Sequence, residues 1–253
     1  MPIPVMAGVV ALALMPVEGT ADADLPMTAM RIIERVKARS AANHVAREGL
    51  RWKKTEWVYD LKDPDAQRLK QHMVWDVWFS HGLFWQQKVS HNGRIIPDPK
   101  KEQPPPDITM TLATLFQYSL AAPPIQPDPV SGRPCWVVKF APSPDAQPNG
   151  TNEEVIGLLS GVIYVDEHGF WIRSASGKLQ REYEKKYIIS FGKASELNFT
   201  VEQVEELGAI MTHRVTLRYR YRKLFRNTNE RREIVSSDFR FLDIPVITTT
   251  PSP

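Results

Sequence analysis

Between Met211 and Phe225 apolar and polar residues alternate with hardly a break. Met211, Val215, Leu217, Tyr219, Tyr221 and Phe225 fall on one side of an extended chain, while Thr212, Arg214, Thr216, Arg218, Arg220 and Arg222 fall on the other. Successive side chains of a strand point to opposite faces, so this run predicts a long strand with one apolar and one strongly basic face. A strand of this kind belongs in an antiparallel sheet that covers something apolar on one side and meets water on the other. That apolar face must be hidden, either by the sheet curling on itself or by a helix laid across it.

Other strand signals surround this one. Arg51 to Asp60 mixes Trp52, Trp57, Val58 and Tyr59 with charges. Met73 to Phe79 alternates, turns at His81-Gly82, and is answered by Leu83 to Ser90, where Leu83, Trp85 and Val89 are expected to point inward. Arg133 to Phe140 carries Trp136, Val138 and Phe140 on one face. Strands are further expected over Gly161–Asp166, Phe170–Ser176, Tyr187–Phe191, Leu197–Glu206 and Glu230–Leu242. Ile108 to Ala122 reads as a short helix, and the proline-rich stretches 97–107, 123–132 and 141–151 read as surface loops.

Thr28 to Glu48 is the clearest helix. Met30, Ile33, Val36, Ser40 and His44 mark one face, with Thr28 as N-cap and Gly49 as stop. Upstream, Val5 to Met15 is an apolar run too short to span a bilayer with ease, and Ala21-Asp22-Ala23 follows it as a small-x-small site. Residues 1–23 are therefore expected to be a signal peptide, 27–243 one domain and 244–253 a loose tail, which makes the protein soluble, exported and periplasmic. One or two helices against roughly ten strands predict a mainly β fold of the α+β class, an unclosed antiparallel β-barrel or strongly curved sheet covered by an amphipathic helix.

The chain of 253 residues can bury a full core, and its net charge of +3 excludes polyanion binding by bulk charge alone. Nucleic acid is not an expected partner. The single cysteine, Cys135, allows no intrachain disulfide and reads as a small buried hydrophobe.

Three stretches carry a family resemblance: the helix that follows the export signal, the segment Gly132-Arg-Pro-Cys-Trp-Val-Val-Lys-Phe-Ala-Pro142, and Leu159-Ser-Gly161-Val-Ile-Tyr-Val-Asp166 with Phe170-Trp-Ile-Arg173 after it. Across about residues 27–243 they resemble the LolA/LolB-like superfamily of periplasmic lipoprotein-sorting carriers. The resemblance implies an unclosed β-barrel, helices over its mouth, and an apolar cavity for acyl chains. It carries the fold and the ligand class but no named site. The long proline-rich loops and the arginine-rich late strand depart from it.

No nucleophile elbow, phosphate-binding glycine loop or dinucleotide fingerprint occurs, so no catalytic residues, cofactor or enzymatic activity are expected. His72, Asp76, His81 and His91 are the nearest approach to a metal set, with His81 and His91 in turns, and no metal site is expected. If the sheet curls, Trp75, Val77, Leu83, Trp85, Trp136, Val138 and Phe140 are candidates to line a common cavity for a lipid or acylated ligand, or else to fill a solid core. Arg214, Arg218, Arg220 and Arg222 form a basic ladder for an anionic envelope partner, unless Glu202 and Glu206 neutralise it across the sheet. The expectation is a monomeric carrier or sensor of lipid-like ligands. The alternative is an interaction module that docks through strand 211–226.

Overall fold

The computed structural model describes residues 27–63, 67–103, 115–186, 191–223 and 226–242. The expected signal peptide, residues 187–190 of the strand expected at Tyr187–Phe191, residues 108–114 of the helix expected at Ile108–Ala122, and the tail lie outside them. Helix α1 (Ala29–Ala46) begins where the sequence places it, with Thr28 Oγ1 accepting from Arg31 N–H at 3.2 Å. Gly49 follows it with φ of 78°, the left-handed conformation that lets the chain turn directly into the first strand.

Thirteen strands follow among the described residues: β1 (Leu50–Asp60), β2 (Arg68–Ser80), β3 (Leu83–His91), β4 (Arg94–Ile95), β5 (Lys101–Glu102), β6 (Phe116–Pro127), β7 (Pro134–Pro142), β8 (Leu159–Asp166), β9 (Ile172–Leu179), β10 (Tyr183–Lys186), β11 (Phe191–Glu206), β12 (Ala209–Lys223) and β13 (Arg226–Phe241). A short helix, α2 (Thr151–Ile156), separates β7 from β8. The strands form one antiparallel sheet in the order β4-β3-β2-β1-β13-β12-β11-β9-β8-β7-β6, with β5 on β3 and β10 on β11. The order ends at β4 and β6 without joining, so the sheet is unclosed, as the alternation predicts.

Where the sequence suggests a helix at Ile108–Ala122 and a proline-rich connector beyond, the structure has β6 over Phe116–Pro127. Proline lacks the N–H of an inner ladder but is tolerated at a sheet edge, and β6 is an edge. Pro123 and Pro124 fall where the β6–β7 register slips, between Leu120 and Ile125.

Helix α1 lies on the concave face and joins its two ends. Its first half buries Ala29, Ile32, Ile33 and Val36 against Val138 and Val165. Near its end His44 meets Phe79 edge-on at 4.6 Å between ring centres, beside a second cluster built from Leu50, Trp52, Val77, Phe79, Ala209 and Met211. A third cluster, Leu115, Phe116, Phe140, Ile156 and Leu159, sits under α2. The helix is also tied by polar contacts. Asn43 donates to Ile210 O at 2.8 Å and accepts from Ile210 N–H at 2.6 Å, while Arg47 Nε and Nη2 donate to the same carbonyl at 3.1 and 2.8 Å. The β12–β13 pairing begins only at Arg214, so these side chains replace the missing strand at Ile210.

Candidate functional site

Strand registration defines the concave floor row by row. One row runs Phe140, Gly161, Gly177, Phe199, Leu217, Arg232, Val58 from β7 to β1. The next runs Val138, Ile163, Ala175, Val201, Val215, Ile234, Glu56, Met73. A third runs Ser236, Lys54, Trp75, Lys88 from β13 to β3. The floor is apolar from β7 to β12 and becomes charged from β13 onward.

Glycine shapes the apolar half. A Cβ on Gly161 would lie 2.8 Å from the Phe140 ring, and one on Gly177 would lie 2.5 Å from the Phe199 ring and 2.9 Å from Phe140. The two glycines are neighbours across β8–β9, so the phenyl rings lie flat over bare backbone with their centres 6.4 Å apart. Phe199 and, beside it, Leu197, Val215 and Leu217 are only half-buried, the first two packed against the cluster under α2, so an apolar strip of β11 and β12 keeps some contact with solvent.

The charged half is more deeply enclosed. Lys54, Glu56 and Gln86 are 7%, 3% and 6% exposed. Lys54 Nζ donates to Gln86 Oε1 at 2.6 Å, and Gln86 Nε2 donates to Glu102 Oε1 on β5 at 3.0 Å. Arg232 Nη1 lies 2.8 Å from Glu56 Oε1 but off the hydrogen-bond direction, so charge rather than a directed bond joins them. The Lys54 and Lys88 ammoniums sit 4.6 and 4.7 Å from the centre of the Trp75 ring. Burial pushes Lys54 down to about 8, against the pull of Glu56 and Glu102. Tyr219 donates to Glu230 Oε2 at 2.6 Å, and Lys70 pairs with the same carboxylate. Burial, with that bond, raises Tyr219.

The candidate cavity residues divide among several surroundings. Trp75 and Val77 belong to the cluster beside the end of α1, Trp136 and Val138 to the cluster under its start, and Phe140 to the cluster under α2. Leu83 and Trp85 lie on the opposite face from Val77. The β2–β3 register sets Val77 against Gln86 and Phe79 against Phe84, so Phe84 and Gln86 point inward while Trp85 pairs with Trp78 on the convex side. Lys101 covers Trp78 and Trp85 there, at 5.2 and 4.1 Å from the ring centres. The larger hydrophobes of β3 thus face outward, one residue out of phase with the inward set expected for Leu83, Trp85 and Val89. Beneath α1 a cleft lined by Val36, Ser40, Asn43, Trp171, Gln203 and Ile210 holds about 30 Å³, room for a water-sized guest.

The basic ladder is partly neutralised. Arg218 Nε lies 2.8 Å and Arg220 Nη2 3.7 Å from Glu196, and Arg214 is 3.9 Å from Glu233. Glu202 stands opposite Arg214 in the ladder, as the sequence suggests, but the closest carboxylates are Glu196 and Glu233. Arg222 lies near the end of the same strand, opposite Lys193 and Asn227. Thr212, assigned to the polar face, is buried, because the register slips by one residue at His213.

The histidine set is dispersed. Asp76 is held by Arg51, His72 stacks on Trp57, and His81 N–H donates to Glu48. Among the described residues no three His, Cys, Asp or Glu side chains are grouped so that they could hold a metal ion. None of the described helices is long and apolar enough to cross a membrane.

Lys54, Glu56, Gln86, Lys88 and Arg232 escaped the sequence reading. The available sign was in β1, where Lys54 and Glu56 share a period-two face with Trp52 and Val58. Charges there have to be buried together with the aromatics.

No protein-family model matches the sequence, and neither does any curated protein. Among solved structures, the fold is similar to a protein from Vibrio parahaemolyticus described as an outer membrane lipoprotein-sorting domain. The TM-score is 0.41 and the identity 12%, over 84% of this chain and 93% of that one. It is also similar to MucB in complex with MucA, at TM-score 0.27 and 9% identity over 85% of this chain and 100% of that one. The Pseudomonas aeruginosa MucA/MucB complex gives the same score and identity over 85% and 99%. At such scores the likeness transfers no ligand, partner or site.

Proposed function

We propose that the protein is an exported, non-enzymatic carrier or sensor that holds lipid-like ligands against the concave face of its sheet. The supporting observation is the half-buried strip of Leu197, Phe199, Val215 and Leu217 on β11 and β12. Leu197 and Phe199 pack in part against the cluster under α2, yet all four side chains keep part of their apolar surface open, which suits an apolar guest. Binding would proceed by partition of an acyl chain onto the strip, with α1 as one wall. Saturable uptake of a fluorescent fatty acid by delipidated protein, with a matching mass shift in native mass spectrometry, tests this. Leu217→Asp places a charge at a half-buried position of the strip and is expected to weaken uptake at least tenfold without altering the circular dichroism spectrum. Wild-type protein that takes up nothing in either assay defeats the reading.

A second reading rests on the convex face. Glu196 serves both Arg218 and Arg220, which stay about half exposed, so the ladder keeps a surplus of positive charge. An acidic envelope partner would fit it. Arg218→Glu with Arg220→Glu is expected to weaken capture of such a partner while leaving lipid uptake intact.

A further inference from the structure

The concave floor is amphipathic, and its charged half contains more donors than the fold uses. Lys54, Trp75 and Lys88 are direct neighbours across β1, β2 and β3, with both ammoniums drawn to one indole. The charges that act on Lys54 are Glu56, Glu102, Arg232 and Lys88, so the cluster holds three cations against two carboxylates. Of these cations, Arg232 faces Glu56 and Lys54 is bonded to Gln86, whereas Lys88 forms no ion pair among the described residues. Two further donors are buried without an acceptor, Trp75 Nε1 and Arg232 Nε. Against these two donors stands one buried acceptor without a directed bond, Glu56 Oε1, so the cluster keeps an excess of one donor and of one positive charge, and each unpaired group costs free energy comparable to a lost hydrogen bond.

We infer that the Lys54–Trp75–Lys88 row seats the oxyanion head group, a carboxylate or a phosphate, of the amphiphile whose chain lies along the apolar strip. This deepens the lipid-binding reading and rests on it. The half-buried Lys88 would supply the approach, and the enclosed Lys54 and indole N–H would supply directed bonds. The geometry fits one molecule. Val215 and Leu217 on β12 stand three inter-strand spacings from Trp75 on β2 and one and two rows further along, about 16 and 20 Å, within the length of a long acyl chain. The low exposure of Lys54 keeps the interaction unscreened by salt. A charged lysine kept in such a place, where a methionine would fill the space without desolvation cost, is the pattern expected of a recognition group.

The test uses three ligands of equal chain length, below their aggregation concentrations: palmitic acid, its methyl ester, and palmitoyl lysophosphatidic acid. Each is titrated into delipidated full-length wild type, Lys88→Gln, and the pair Lys54→Met with Lys88→Gln. The expected result is at least tenfold tighter binding of the acid or the phosphate than of the ester by wild type. The double variant should lose that preference while its ester affinity stays within twofold. Whichever anion gains more identifies the head-group class. Equal affinity of wild type for the anions and the ester overturns the head-group seat and leaves the carrier reading standing. A preference that survives in the double variant also overturns it. Failure of wild type to bind any of the three removes the carrier reading and the seat together.

Discussion

Lys54 concentrates the conflict between stability and recognition in one side chain. Its ammonium is buried and held by Gln86, while Lys88 and Arg232 add like charge. Unfolded, it would titrate near the ordinary 10.5; folded, burial lowers it to about 8. A group depressed in this way disfavours the folded state wherever it must be charged, so the penalty is full below pH 8 and fades as pH rises toward 10.5. One pKa unit corresponds to about 1.4 kcal/mol, which puts the penalty at roughly 3 kcal/mol. Lys54→Met is therefore expected to raise unfolding free energy by about 2–3 kcal/mol at pH 7 in urea titrations, with the gain shrinking at pH 10. A variant less stable than wild type at pH 7 would show that the Gln86 bond and the Glu56 and Glu102 charges outweigh desolvation. Asn43 has the opposite role. Its amide pairs both backbone groups of Ile210, and because Arg47 also donates to the carbonyl, truncation strands only the N–H inside the protein. Asn43→Ala should lower stability by about 1–3 kcal/mol, the cost of one stranded backbone group. Hydrogen exchange at the Ile210 amide should accelerate more than at the centre of β12.

At the scale of elements, α1 is legible because it buries one stripe, and β12 is legible from Arg214 onward because it alternates there, whereas its start and the Val137–Val138 pair of β7 bury both faces. The segments behind the family resemblance have a physical meaning that a motif alone does not disclose. Asp166 accepts from Gly169 N–H at 2.6 Å and from Arg173 Nε at 2.8 Å, and Arg173 lies 4.4 Å from the centre of the Trp171 ring. Burial would raise the Asp166 carboxyl, but the Gly169 amide and Arg173 bring it below the ordinary value. Those residues close the β8–β9 turn; they do not touch the apolar strip. Two features stayed hidden. The inward phase of β3 depended on buried Gln86, which pattern reading treats as solvent-facing, and β6 depended on an edge position that no local signal announces. Gly161 also reads as an ordinary strand glycine until Phe140 and Gly177 are set beside it. Its replacement by alanine would drive a methyl group into Ser176 O and the Phe140 ring. Gly161→Ala is expected to cost about 3 kcal/mol or more, or to prevent folding, since overpacking against backbone cannot relax. Gly192→Ala, where a Cβ meets nothing within 4 Å, should stay within about 0.5 kcal/mol. Thermal melts of the two variants together separate this local clash from a general glycine effect.

An unclosed sheet leaves two strand edges that could recruit another chain, and in this molecule each is blunted differently. On one side β4 and β5, two residues each, cover parts of β3, with Lys101 folded over the indoles of Trp78 and Trp85. On the other side β6 leaves register between Leu120 and Ile125, with Pro123 and Pro124 exposed in the slipped stretch. Prolines there remove donors that a second strand would need and bend the edge away from a flat template. A sheet with an open apolar strip on its concave face requires such protection, because edge pairing would bring two strips together and bury them against each other instead of against a ligand. Pro123→Thr with Pro124→Thr restores both donors and raises strand propensity at the edge. The double variant is expected to sediment as a dimer or larger species at concentrations where wild type sediments as a monomer, and its fatty-acid uptake should fall as association rises. Equal sedimentation of the two proteins would mean that the register slip alone keeps the edge closed to partners, and that the prolines are tolerated there without protecting it.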